Sequence, residues 1–217
     1  MQIIENNEGM VNALKNELTE TIHFLDSKGW APAGSSNFSF RVPGENKYWI
    51  SANGVNKSSL RSSDFMLIDV QGEPPENTEI KPPSGTLLHS LLYENPDINV
   101  VLHTYSISST VISMAHKTEG EIKLSGYELL KGLSGVNTHD TTITVPVFAN
   151  MQDIKRISLE LRRYMRGRPD FRAFLLSGNG LYAWGKTMAE AKRHIEVFEF
   201  LLECEINLKI YKAVMKS

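Results

Sequence analysis

The chain has 217 residues, a length that one hydrophobic core can serve, and its 41% apolar and 22% charged residues are the proportions of a globular protein, not a disordered one. Its 23 basic and 25 acidic side chains are interspersed and leave a net charge of −2, so there is neither a basic stripe for nucleic acid nor an acidic tail. One cysteine, Cys204, excludes an internal disulfide; the opening Met-Gln-Ile-Ile-Glu-Asn-Asn-Glu lacks the basic flank and apolar stretch of a signal peptide, and no later apolar run approaches the ~20 residues that span a bilayer. A cytoplasmic protein with no nucleic acid or membrane partner is expected.

Met10, Leu14, Leu18, Ile22 and Leu25 recur at helical spacing, and Gly29 follows where a left-handed residue ends a helix. Three apolar or alternating runs at 37–42, 48–51 and 65–70, bounded by Gly, Pro, Asn or Asp, predict strands of an antiparallel meander. The prolines of 71–83 predict a loop. A helix is expected over 84–94 on Leu87, Leu88, Leu91 and Leu92, then a buried strand over 98–103. Helices over 107–117 and near 127–133 precede a strand over 142–148, a helix over 151–166, and a strand over 171–176 that runs into the glycine-rich turn at Asn179. Thr187 and Glu190 have the spacing of a capping box, ahead of a long last helix with Ile195, Phe198, Leu202, Cys204 and Ile206 on its apolar face. Helices interspersed with a largely antiparallel sheet predict an α/β sandwich, with residues 1–217 forming a single domain.

Two segments carry the chemistry: Val-Leu-His-Thr-Tyr-Ser at 101–106 and Ser-Gly-Asn-Gly-Leu-Tyr-Ala-Trp-Gly at 177–185. Around them stand, in order, Gly-Trp at 29–30, Asn-Phe-Ser at 37–39, Ile-Ser-Ala-Asn-Gly-Val-Asn-Lys at 50–57, Thr-Leu-Leu-His at 86–89, Gly-Tyr-Glu at 126–128, Pro-Val-Phe-Ala-Asn-Met-Gln-Asp-Ile at 146–154 and Glu-Ala-Lys-Arg-His-Ile-Glu at 190–196. This ordered set resembles the class II aldolase/adducin-head family and, within it, the methylthioribulose-1-phosphate dehydratases, lyases of methionine salvage. The resemblance implies a cyclic homotetramer acting on a small phosphorylated carbonyl compound. It also implies a zinc site made by His-Thr-His in the first segment and Gly-His-Gly in the second. Here His103 is the only retained ligand, and Tyr105 and Asn179 occupy the other two places.

By the same resemblance, Asn37, the Asn53–Gly54 turn, Lys57 and Ser84 would hold the substrate phosphate, in loops and at a helix start where backbone N–H groups favour an anion. Ser36 stands where the family usually has glycine, and Gly85 where a carboxylate is common. Glu128 matches the dehydratases' acid/base position, whose task of moving a proton beside a carbonyl requires a carboxylate sequestered from water. A phenol with an ordinary pKa of about 10 and a neutral amide are poor donors to zinc. The expectation is therefore no cofactor, or zinc held weakly through His103, with Tyr105 and Asn179 as hydrogen-bond donors to the substrate carbonyl. Three functions stay open: a metal-independent lyase or isomerase, a zinc-dependent dehydratase with a remodelled metal site, and a non-catalytic relative that binds a ligand or assembles.

Overall fold

The computed structural model describes residues 2–76, 81–168 and 170–216, so part of the expected 71–83 loop lies outside the described residues. Helix α1 (Gln2–Ser27) ends as anticipated: Gly29 has φ +74°, and the Trp30 N–H closes the last turn on the Leu25 carbonyl at 3.1 Å. The meander follows as β1 (Phe38–Phe40), β2 (Lys47–Ser51) and β3 (Phe65–Asp69). Then come α2 (Thr86–Tyr93), β4 (Val100–Thr104), α3 (Ile107–Ala115), β5 (Glu121–Ser125) and β6 (Thr142–Phe148). Helix α4 (Ile154–Met165), β7 (Ala173–Leu176), β8 (Gly180–Gly185) and α5 (Met188–Val214) complete the fold. The expected helix near 127–133 is a 3-10 turn, Glu128–Gly132.

The eight strands form one sheet in the order β3-β2-β1-β4-β8-β7-β6-β5. Only β6 and β7 run parallel. Strand alternation divides the apolar residues between two layers. Phe38, Val100, Leu102, Leu175, Leu181 and Ala183 point to the layer of α1 and α5, where Leu18, Ile22, Ile195 and Phe198 meet them. Val101, Phe174, Leu176, Tyr182 and Trp184 point the other way, onto Leu88 and Leu92 of α2 and Ile157 and Leu161 of α4. An α/β sandwich with a mostly antiparallel sheet is the architecture, as expected.

Two strands are absent from the sequence-based reading. β5 alternates, with Ile122 and Leu124 buried, but is only five residues long. β8 is buried at all six positions, shows no alternation, and begins and ends with glycine. One smaller correction concerns the start of α5: the Thr187 hydroxyl accepts from Glu190 N at 3.2 Å, but the Glu190 carboxylate accepts from Lys186 N at 2.6 Å, one residue before the position a reciprocal capping box requires.

Candidate active site

A cavity of about 310 Å3 lies where the end of β4, the β7–β8 turn, the loop before β1 and the start of α2 meet. Strand β4 delivers His103, which is 4% exposed, on the same face as Val101. The turn delivers Asn179, and its shape depends on Gly180: φ is +80°, and a Cβ there would come within 2.0 Å of the Thr104 carbonyl oxygen. The β7–β8 hairpin can lie this close to β4 only with glycine at that position.

His103 and the turn are bonded directly. Nε2 of His103 lies 2.7 Å from the Asn179 carbonyl oxygen, and because a carbonyl only accepts, the ring proton sits on Nε2. Nδ1 is left as a buried lone pair without a partner. Burial lowers the pKa of this imidazole to about 4, so the ring is neutral. Its face stacks on Tyr182 at 4.0 Å and 9°. The Tyr105 hydroxyl donates to the Gly178 carbonyl at 2.8 Å, a second tie between β4 and the turn. The Asn179 side-chain amide lines the cavity and makes no hydrogen bond among the described residues.

The opposite wall is polar and partly unpaired. Asn37 Nδ2 donates to Asn53 Oδ1 at 3.2 Å and Ser51 O at 3.4 Å, which fixes both asparagines beside Ser84. The Ser35 and Ser36 hydroxyls are buried without partners, and Ser36 has φ +76°, a left-handed conformation disfavoured for a residue with a Cβ. Unpaired buried hydroxyls beside a helix start suit an anionic ligand.

On the α5 side of the sheet, Glu199 accepts hydrogen bonds from the hydroxyls of Thr104 and Ser106, and burial raises its pKa to about 7. His89 of α2 places Nδ1 2.7 Å from Ser39 Oγ, which lies 2.7 Å from the Tyr93 hydroxyl. Burial lowers the pKa of His89 to about 3 and leaves its Nε2 unpartnered.

Six of the anticipated residues therefore converge: Asn37, Asn53, Ser84, His103, Tyr105 and Asn179 all line the cavity. Gly54, Lys57 and Glu128 do not. Gly54 makes its turn at φ +72° outside the lining. Lys57 is wholly buried, donates to Ala52 O at 3.3 Å, and has its pKa lowered to about 8 by burial, against the pull of Asp26 and Asp64. Glu128 has a side chain 69% exposed, paired with Lys131 and with His139 Nδ1 at 3.0 Å; Lys131 holds its pKa below the usual carboxylate value. Within its own chain this carboxylate is neither sequestered nor at the cavity. Tyr182 and Ser35 line the cavity and His89 packs against Tyr182, and sequence reasoning gave none of them a role; the signal for Tyr182 is its place opposite His103, legible only once β8 is known.

The donor set does not fit zinc. Among the described residues no three His, Cys, Asp or Glu side chains converge. The cavity lining holds one imidazole, whose free Nδ1 is a single donor, and the neighbouring phenol keeps its proton on the Gly178 carbonyl.

Residues 16–206 match the family described as Class II Aldolase and Adducin N-terminal domain. The chain belongs to that family. Among its relatives, a methylthioribulose-1-phosphate dehydratase of Picosynechococcus sp. is 42% identical over 199 residues, covering 90% of this chain and 93% of that protein. The enzyme of that name in Marinobacter nauticus is 40% identical, covering 88% of this chain and 91% of its own. Solved class II aldolases share the fold: an L-fuculose 1-phosphate aldolase superposes with a TM-score of 0.74 at 19% identity, over 92% of this chain and 87% of that one. The L-fuculose-1-phosphate aldolase of Thermus thermophilus does so with a TM-score of 0.72 at 20% identity, over 94% and 98%. No helix among the described residues is long and apolar enough to cross a membrane.

Proposed function

We propose that this class II aldolase-family protein is a diverged relative of the methylthioribulose-1-phosphate dehydratases, acting as a lyase or isomerase on a small phosphorylated carbonyl compound without a resident metal. The observation that carries this reading is the cavity itself. One wall keeps unpaired hydroxyls and fixed amides suited to a phosphate, while the other offers a single imidazole, His103, with no second or third His, Cys, Asp or Glu beside it in the cavity lining among the described residues. The free Asn179 amide supplies a donor for the substrate carbonyl. The Tyr105 hydroxyl, already donating to Gly178, fastens the turn. Glu128 remains the carboxylate proposed as base; being on the surface, it serves a cavity only across a boundary between copies.

Assembly as a homotetramer belongs to the same proposal. Ile107 and Met114 on α3 and Ile210 and Tyr211 on α5 are large apolar side chains at 84%, 62%, 56% and 63% exposure, and α3 and α5 pack together. Light scattering should return about four chain masses; one chain mass across a range of concentrations would remove assembly and, with it, the role given to Glu128.

A second reading, ligand binding without turnover, is favoured by the placement of Glu128 alone. Turnover of methylthioribulose 1-phosphate in the presence of chelator, lost in Glu128→Gln, supports the metal-free lyase. Activity that chelator abolishes and zinc restores refutes the metal-free reading, and binding without turnover establishes the second one.

A further inference from the structure

The ring of Tyr182 is the middle of a three-ring column. In register, Tyr182 of β8 lies opposite His103 of β4 and Phe174 of β7, on the same face of the sheet. Its ring stacks on His103 at 4.0 Å and on Phe174 at 4.6 Å, with interplanar angles of 9° and 7°. His89 closes the edge, with centroids 5.8 Å apart at 71°. The residue is 2% exposed yet lines the cavity.

The space around its hydroxyl depends on Gly85. A Cβ built on Gly85 would lie 3.2 Å from the Tyr182 oxygen and 3.6 Å from Asn37 Oδ1, so the absence of a side chain at 85 leaves the phenol room at the start of α2. Among the described residues the Tyr182 hydroxyl has no hydrogen-bond partner, whereas the Tyr105 hydroxyl has its proton on Gly178 O. The oxygen is not among the buried unpartnered atoms, so it opens on the cavity and is free to meet a ligand there.

We infer that Tyr182 is the hydrogen-bond donor that contacts the substrate's carbonyl oxygen, the place that sequence position alone would give to Tyr105; this rests on the reading of the cavity as a site for a phosphorylated carbonyl compound. Burial and the nearby Tyr105 raise the pKa of the phenol, so it stays protonated and acts as a donor rather than a base. The stack restrains the ring, which limits the motion needed to orient the O–H.

The test compares Tyr182→Phe with the parent in the full chain, with chelator present, using calorimetric binding of methylthioribulose 1-phosphate and, separately, of inorganic phosphate. Tyr182→Phe keeps the ring and its stacking, and equal thermal unfolding of the variant and parent checks this. The expected result is about tenfold weaker binding of the ketose phosphate, the worth of one lost hydrogen bond, with phosphate affinity unchanged. Parent-like binding of the ketose phosphate by Tyr182→Phe overturns the inference and leaves the cavity reading standing. Equal losses for ketose phosphate and inorganic phosphate also overturn it, because the phenol then meets the phosphate. A parent protein that binds neither compound removes the cavity reading and this inference together.

Discussion

Ser36 concentrates the tension between stability and binding in one residue. It holds φ +76° and a buried hydroxyl without a partner. A left-handed conformation costs a residue with a Cβ roughly 1–2 kcal/mol, and an unpaired buried hydroxyl costs about 1–3 kcal/mol. Glycine at 36 relieves both and gives back part of the gain through a freer unfolded chain, by about 0.4–1 kcal/mol. Ser36→Gly should therefore raise the urea midpoint by an amount corresponding to at least about 1 kcal/mol while weakening phosphate binding. A variant that binds phosphate like the parent would show that the hydroxyl serves no ligand.

At the scale of elements, the site depends on how closely β8 approaches β4. A Cβ at 180 would lie 2.0 Å from the Thr104 carbonyl oxygen on a backbone at φ +80°, so Gly180→Ala must push the hairpin away from β4. The expected loss is more than about 3 kcal/mol, in the range of severe local disruptions, seen as a large fall in Tm; a change of only a degree or two would mean the hairpin gives way freely. The element boundaries that sequence reveals here are those with periodic patterns. α1, α2, α4, α5 and the meander announce themselves through helical spacing or bounded runs, whereas the cavity wall of Asn37, Asn53 and Ser84 is legible only through the family resemblance. β8 does not announce itself, because both its faces are covered, Gly180 answers to contact with β4, a long-range constraint invisible in local pattern, and Gly185 to contact with the start of α5. Without β8, the pairing of Tyr182 with His103 cannot be read. Glu128 shows the converse limit: a motif places it in the chain, but its surface position follows from the 3-10 turn and from Lys131 and His139.

For the whole molecule, the buried titratable groups set opposing pH dependences. His89 and His103 have folded pKa values of about 3 and 4, below the ordinary 6.5. The unfolded chain therefore takes up their protons first as pH falls, and stability is lost below about 6.5. Glu199 works the other way: its folded pKa of about 7 exceeds the ordinary 4.5, so the fold holds a proton that the unfolded chain releases, and stability falls as pH rises from about 4.5 to 7. Two histidines against one carboxyl leave a net rise of about one proton, roughly 1.4 kcal/mol per pH unit, between about pH 4.5 and 6.5; His194, also lowered by burial, adds to it. Denaturant titrations across this range should show the rise, and Glu199→Gln should steepen it by about one further proton. An unchanged slope in that variant would mean that Glu199 is ionised in the fold.

The bond from His103 Nε2 to the Asn179 carbonyl also gives the molecule a built-in reporter. An imidazole N–H held by a carbonyl and shut away from water exchanges its proton slowly, so it should give a persistent downfield nuclear-resonance line, distinct from the backbone amides. That line disappears if the turn lifts away from β4, and equally if Nε2 gives up its proton to bind an ion. One signal thus follows both the opening of the cavity and the recovery of a metal ligand, in the intact protein and before any substrate is known.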